Sequence, residues 1–217
     1  MSLPSVEGRS SIVEGGGTGA VLLGAALLSI LPTLQPSASA QDTLPIGYGT
    51  LKRDDIVVRF ATDQIAIHVL PLAQGVIRLL APDTYASLRQ LLKTKQGEID
   101  AASQRAGVLR PTLVMVTFLG VVPQARFSPD DLNITSLGRL YRPVGIVPLS
   151  PRWSSYQLDA REQAVAIYLF EEGISFRDAL SVIYQDATND SWTSVLHVLD
   201  RERSQVLARA KLNGKSD

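Results

Sequence analysis

The run from Thr112 to Val122, TLVMVTFLGVV, carries no charge over eleven residues. Its length and its content of Val and Thr predict a central strand buried on both faces. The rest of the fold has to supply that strand with neighbours, and the flanking sequence does so. Ile56, Val58 and Phe60 alternate with Asp55, Val57 and Arg59. Ile65, Ile67 and Val69 alternate with Gln64, Ala66 and His68. Both patterns have period two and favour β-branched residues, and Ala61–Asp63 between them predicts a tight hairpin. Val76–Leu80 reads as a further short strand. Gln163–Phe170 reads as a strand buried on both sides, closed by the turn signal Glu171-Glu172-Gly173. Ala179–Tyr184 reads as another strand. Pro143, Gly145 and Pro148 restrict residues 139–148 to an edge strand or an extended loop.

Two segments have helical spacing. Tyr85, Leu88, Leu92, Lys95, Ile99, Ala102 and Ala106 recur at three- and four-residue steps, with Asp83 placed to cap the start and Gly107 to end the helix. Trp192, Val195, Leu196, Leu199, Val206, Leu207 and Ala210 form a second stripe, interrupted by Arg203 and preceded by Asn189-Asp190-Ser191 as a start signal. Strands come in runs rather than alternating with helices. The expected fold is therefore α+β and mostly β: an antiparallel β-sandwich of immunoglobulin-like type, with one long inserted helix and a C-terminal helix.

The N-terminal segment predicts export. Residues 20–31, AVLLGAALLSIL, are apolar and uncharged. They are too few to cross a bilayer but fit the core of a signal peptide. Pro32 and Pro36 break any helix there, and Ala38-Ser39-Ala40 matches an A-x-A cleavage site. Residues 1–40 are thus read as a signal peptide and 41–217 as a single β-rich domain, cut between Ala40 and Gln41 and located in the periplasm or outside the cell. A retained anchor is the alternative, because Glu7 and Glu14 outweigh Arg9 in the leader. No transmembrane span is expected in the mature chain.

Composition narrows the chemistry. The whole chain has 21 basic and 21 acidic residues; losing Arg9, Glu7 and Glu14 with the leader leaves 20 and 19. Such a balance gives no general field for nucleic acid or anionic membrane. With no cysteine there are no disulfides, thiolate metal sites, cysteine nucleophiles or iron–sulfur clusters. Neither His68 nor His197 has metal-ligand spacing. No G-x-S-x-G elbow marks a serine. The pairs Asp54/Asp55, Asp130/Asp131 and Glu171/Glu172 fall at expected turns. Asp186–Asp190 begins like a calcium loop, but Ser191 and His197 stand where Gly and Glu are needed. Asn133-Ile134-Thr135 fits the glycosylation triplet. No cofactor or metal is expected.

One cluster suggests recognition: Arg139, Tyr141, Arg142, Arg152, Trp153 and Tyr156. Aromatic rings beside cations can stack on sugars or bases while holding an anionic group. The ordinary alternative is a Pro-rich segment packing its rings over a sheet edge with arginines turned outward. The expected function is an exported, non-catalytic binding or accessory module for an envelope protein or polysaccharide. An exported hydrolase of polysaccharide or ester is the alternative, and carriage of a small apolar ligand is a third reading.

Overall fold

The computed structural model describes residues 44–213, all within the unit Ala40–Asp217. The expected signal peptide and cleavage point lie outside the described residues. Along the chain come β1 (Val58–Ala61), β2 (Ile65–Pro71), α1 (Gln74–Ile77), α2 (Pro82–Thr94), α3 (Gln96–Ala106), β3 (Thr112–Gly120), β4 (Ala125–Arg126), β5 (Leu132–Ser136) and β6 (Arg139–Tyr141). Then follow β7 (Pro143–Pro148), β8 (Gln157–Leu158), β9 (Gln163–Phe170), β10 (Leu180–Tyr184), β11 (Ala187–Asn189) and α4 (Trp192–Asn213). The described domain is α+β, mostly antiparallel sheet with four helices. Among the described residues no helix is long and apolar enough to cross a membrane.

The uncharged run does become the centre of the main sheet. β3 lies in the order β1-β2-β3-β9-β7, all antiparallel, with Phe118 opposite Ile67 on one side and Ala164 on the other. Period two then assigns the faces. Val114, Val116 and Phe118 share one face with Ile65, Ile67 and Val69 of β2 and with Tyr168 and Phe170 of β9. The other face carries Met115, Ile167, Leu169 and Val147, and α3 lies over its β7–β9 end. Gly145 allows that approach, since a Cβ there would stand 3.3 Å from the Cβ of Ala102.

A second sheet has the order β11-β10-β5-β6 and buries Leu132, Ile134, Leu180, Val182 and Tyr184. Phe118 of the first sheet lies 5.6 Å from Tyr184 of the second; Phe127 and Trp153, outside both sheets, pack on Phe118 at 4.8 Å and edge-on against Tyr168 at 5.9 Å. The margins also meet. Only Arg142 separates β6 from β7, and the Asn189 side chain on β11 donates to the Arg59 carbonyl on β1 at 3.2 Å.

Two expectations are corrected and a third is met. The single helix expected from Asp83 to Gly107 is two, broken at Lys95, whose φ of −95° and ψ of 4° leave the helical range. A straight helix over 82–106 would run about 37 Å, longer than β3 at about 30 Å. Breaking it lets Leu88 and Ile99 both be buried. Val76–Leu80 is not a strand: it begins in α1 and ends in a turn, where Leu51 hydrogen-bonds the Leu79 carbonyl at 3.1 Å. Four apolar residues around Arg78 are too few for a period to separate helix from strand. Residues 139–148, offered as edge strand or loop, supply an edge strand to each sheet, β6 and β7.

Candidate functional site

The six residues of the aromatic–basic cluster fall into two groups. Arg139 and Tyr141 lie on β6, with Arg142 at the link to β7. The Arg139 guanidinium sits 4.8 Å from the Tyr141 ring centre and pairs with Glu171 at the end of β9. Tyr141 itself is buried. Arg152 and Trp153 occupy a 3-10 turn, Pro151–Ser155, beyond β7, and Tyr156 follows it. Arg152 pairs with Glu162, just before β9, at 2.8 Å. Trp153 is buried among Phe118, Phe127 and Tyr168. The two anchoring glutamates therefore flank opposite ends of β9, an eight-residue strand spanning about 26 Å. Arg142 and Tyr156 are exposed, one in each group.

The titratable candidates are similarly dispersed. His68 on β2 stands opposite Arg59 of β1 and Thr117 of β3. Burial, and then the Arg59 guanidinium, hold its pKa below the ordinary value, while Asp54 acts against them. His197 is exposed on α4. Asp54 pairs with Arg59 at 2.6 Å, Asp55 accepts from the Lys52 amide, and Asp131 accepts from Gln185. Asp186–Asp190 forms the turn and outer strand of the β10–β11 hairpin, leading into α4. Asn133 lies on β5 and donates to the Asp131 carbonyl at 3.0 Å. Among the described residues no three His, Asp or Glu side chains are grouped to hold a metal ion.

A different surface gathers charge. Where β2 ends at Pro71, the Leu72 amide still bonds the Leu113 carbonyl at 3.0 Å, which keeps the start of β3 beside it. α1 and α2 follow on one side, and the turn after β9 closes the other. Between them is a cleft of about 620 Å³ floored by Leu72, Leu92, Leu113, Ile174 and Phe176. Arg89, Lys93 and Arg110 line it, against the single carboxylate of Glu172. Arg89 and Lys93 stand at i and i+4 on α2, so they share a helix face. All three cations are exposed, and none forms an ion pair or side-chain hydrogen bond among the described residues.

A second cleft of about 510 Å³ adjoins it, sharing Ala73, Gln74, Ile174 and Phe176 and adding Arg78, Arg177 and Arg203 with no carboxylate in its lining. Arg78 is held by a 3.0 Å bond from its Nη1 to the Leu44 carbonyl, and Arg203 by Asp200 at 2.6 Å. The Nε of each is shielded from solvent and finds no acceptor. The linings of the two clefts thus hold six cations and one carboxylate, with Arg203 already paired to Asp200. The excess of cations over carboxylates in the lining suits the holding of negative charge.

Sequence reasoning passed over this surface because its residues come from five separated segments, each with one or two ordinary surface cations. In comparison with known proteins, the chain matches no family model, no curated protein and no solved structure.

Proposed function

We propose that the domain is an exported, non-catalytic binding module that holds an acidic, partly apolar segment of a partner protein in the cleft of Arg89, Lys93 and Arg110. The observation that carries this reading is the gathering of three unpaired cations over an apolar floor in a chain of zero net charge. Like charges at i and i+4 cost a few tenths of a kcal/mol in a helix. An acidic partner relieves that cost and gains charge-assisted hydrogen bonds. The apolar floor favours a polypeptide over a polysaccharide: Leu72, Leu92 and Leu113 suit aliphatic side chains, and Phe176, only 7% exposed, offers no open ring face for a sugar. The contact between Phe118 of one sheet and Tyr184 of the other supports reading the scaffold as a β-sandwich, although the meander β1-β2-β3 within one sheet departs from an immunoglobulin order.

The test is fluorescence anisotropy with a labelled peptide of alternating Glu and Leu, and with its Lys counterpart, at two salt concentrations. The expected result is binding of the acidic peptide alone, weakened by salt. Affinity should fall at least about tenfold in Arg89→Glu/Lys93→Glu, and Arg142→Ala/Tyr156→Ala should leave it unchanged. Equal binding of both peptides, or full affinity in the charge-reversed variant, would overturn the proposal. Export is tested separately by N-terminal sequencing of protein from the native host's envelope or medium, with Gln41 expected as the first residue.

A further inference from the structure

Arg89 and Lys93 line a third hollow as well as the first cleft. It is a groove of about 420 Å³ that follows α2 back toward its start, between the helix and the lead-in segment. Its apolar part is made by Ile46, Pro82, Tyr85 and Ala86, and no carboxylate lines it. Ile46 is 48% exposed, and Ala86 is exposed beside it. The groove is built before any ligand arrives. Gly47, at φ 93°, turns the lead-in, and the Ala81 amide at the head of α2 bonds the Leu51 carbonyl at 2.9 Å. Such a wall lowers the ordering cost that a ligand would otherwise bear.

The spacing along α2 sets what can lie there. Arg89 and Lys93 are four residues apart, about 6 Å along the helix axis. In an extended chain, side chains on one face recur every second residue, at about 6.6 Å. Two acidic residues with one residue between them therefore match the two cations. The next side chain on the same face falls about 6.6 Å further along. Toward the start of α2 that is the level of Tyr85 and Ala86, where the groove is apolar. A helical segment, about 10 Å across, is too wide for a groove of this volume.

We propose that the bound segment is extended and carries two acidic residues with one residue between them. An apolar residue stands one further residue away and seats between Ile46 and Ala86. The charge of the cleft selects the acids, and the groove selects the apolar side chain and its distance from them. This deepens the reading of the Arg89, Lys93 and Arg110 cleft as an acid-binding surface, and rests on it.

The experiment measures fluorescence anisotropy of the full chain with labelled peptides of one composition. In the first peptide two glutamates are separated by one serine, and a leucine lies one serine beyond each, so that either chain direction is served. In its isomers the glutamates are adjacent, or three serines apart as a helix would need. The first peptide should bind at least about fivefold more tightly than either isomer. Replacing its leucines by serine should weaken binding about five- to tenfold. Ile46→Ser/Ala86→Gln should cause the same loss for the leucine peptide and leave the serine peptide unaffected. Circular dichroism verifies folding of the variant, and Ala86→Gln alone takes its place if the pair does not fold. Affinity indifferent to glutamate spacing, a preference for the helical spacing, or a leucine preference that survives in the groove variant overturns this inference. If all acidic peptides still lose affinity in Arg89→Glu/Lys93→Glu, the reading of the cleft stands without it. Absence of binding by every acidic peptide overturns both.

Discussion

Glu202 is the only buried charged side chain among the described residues, 4% exposed on the inward face of α4. Its Oε1 accepts from the Thr50 amide at 2.8 Å, from the Thr50 hydroxyl at 3.0 Å and from Arg209 at 2.8 Å. Three donors compensate the desolvation of one carboxylate. Glu202→Ala should therefore cost about 2–3 kcal/mol in a urea titration, less than a fully buried pair because Arg209 keeps contact with water. Glu202→Gln should cost less, since an amide oxygen still accepts from Thr50. Equal stability of Glu202→Ala and wild type would show that the contact carries nothing. His68 supplies a second residue-scale test. Burial and Arg59 favour its neutral form in the folded state. Below the ordinary value of about 6.5 the unfolded chain binds the proton more readily, so the stability contribution is complete above that pH and is lost as pH falls through it. Between pH 7.5 and 5.5 the urea midpoint of wild type should drop further than that of His68→Gln. Parallel curves would contradict the assignment.

At the scale of elements, two tyrosines hold the segment that leads into β5. The Tyr168 hydroxyl donates to the Pro129 carbonyl at 2.9 Å inside the core, and the Tyr184 hydroxyl accepts from the Ser128 amide at 2.9 Å. Burial raises the pKa of both, so each stays a neutral phenol able to donate. Tyr168→Phe leaves a buried carbonyl unpaired and should cost about 1–2 kcal/mol, measured against Tyr184→Phe and the double variant. Gly120, at the end of β3, is constrained by approach: a Cβ there would fall 2.3 Å from the Asp159 carbonyl oxygen. Its own amide bonds Glu162 at 2.9 Å. Gly120→Ala should cost about 3 kcal/mol through strain and lost bonds. Legibility in the sequence followed length and period. β2, β3, β9, β10 and α4 could be read because each has enough apolar positions to declare a period and a face. β5 could not, because Leu132 and Ile134 give only two apolar steps between the Ser128–Asp131 turn and Ser136. β11, Ala-Thr-Asn, has no apolar signal and exists through its pairing with β10. Leu207 was expected on the buried stripe of α4 yet is exposed, while Glu202 takes a place there that polarity alone would deny it.

For the whole molecule, nearness along the chain differs from nearness in space. Residues 139–156 concentrate rings and cations, but six extended residues of β7 carry the halves apart. The clefts arise from tertiary closure, and one part of that closure is the lead-in before β1. Leu44 is buried at 2% exposure, and its carbonyl holds Arg78. Leu51 exchanges backbone bonds with Leu79 and Ala81, Thr50 reaches Glu202, and Arg209 of α4 donates to the Tyr48 carbonyl at 2.6 Å. These contacts join the chain's entry, α1 and α4 behind the arginine cleft. Deleting residues 44–51 uncovers the core under Leu44 and strands Glu202 without Thr50. The first loss is about 1.5–3 kcal/mol and the second about 1–3 kcal/mol, so stability should fall by about 4 kcal/mol. Arg78 also loses the acceptor that fixes its fork. The truncated chain, compared with wild type in urea, should unfold at a correspondingly lower midpoint. Leu44→Ala, which keeps Thr50 beside Glu202, should lose less stability than the truncation does. If truncation spares stability, or if Leu44→Ala loses as much as the truncation does, the lead-in does not brace α4 through Thr50.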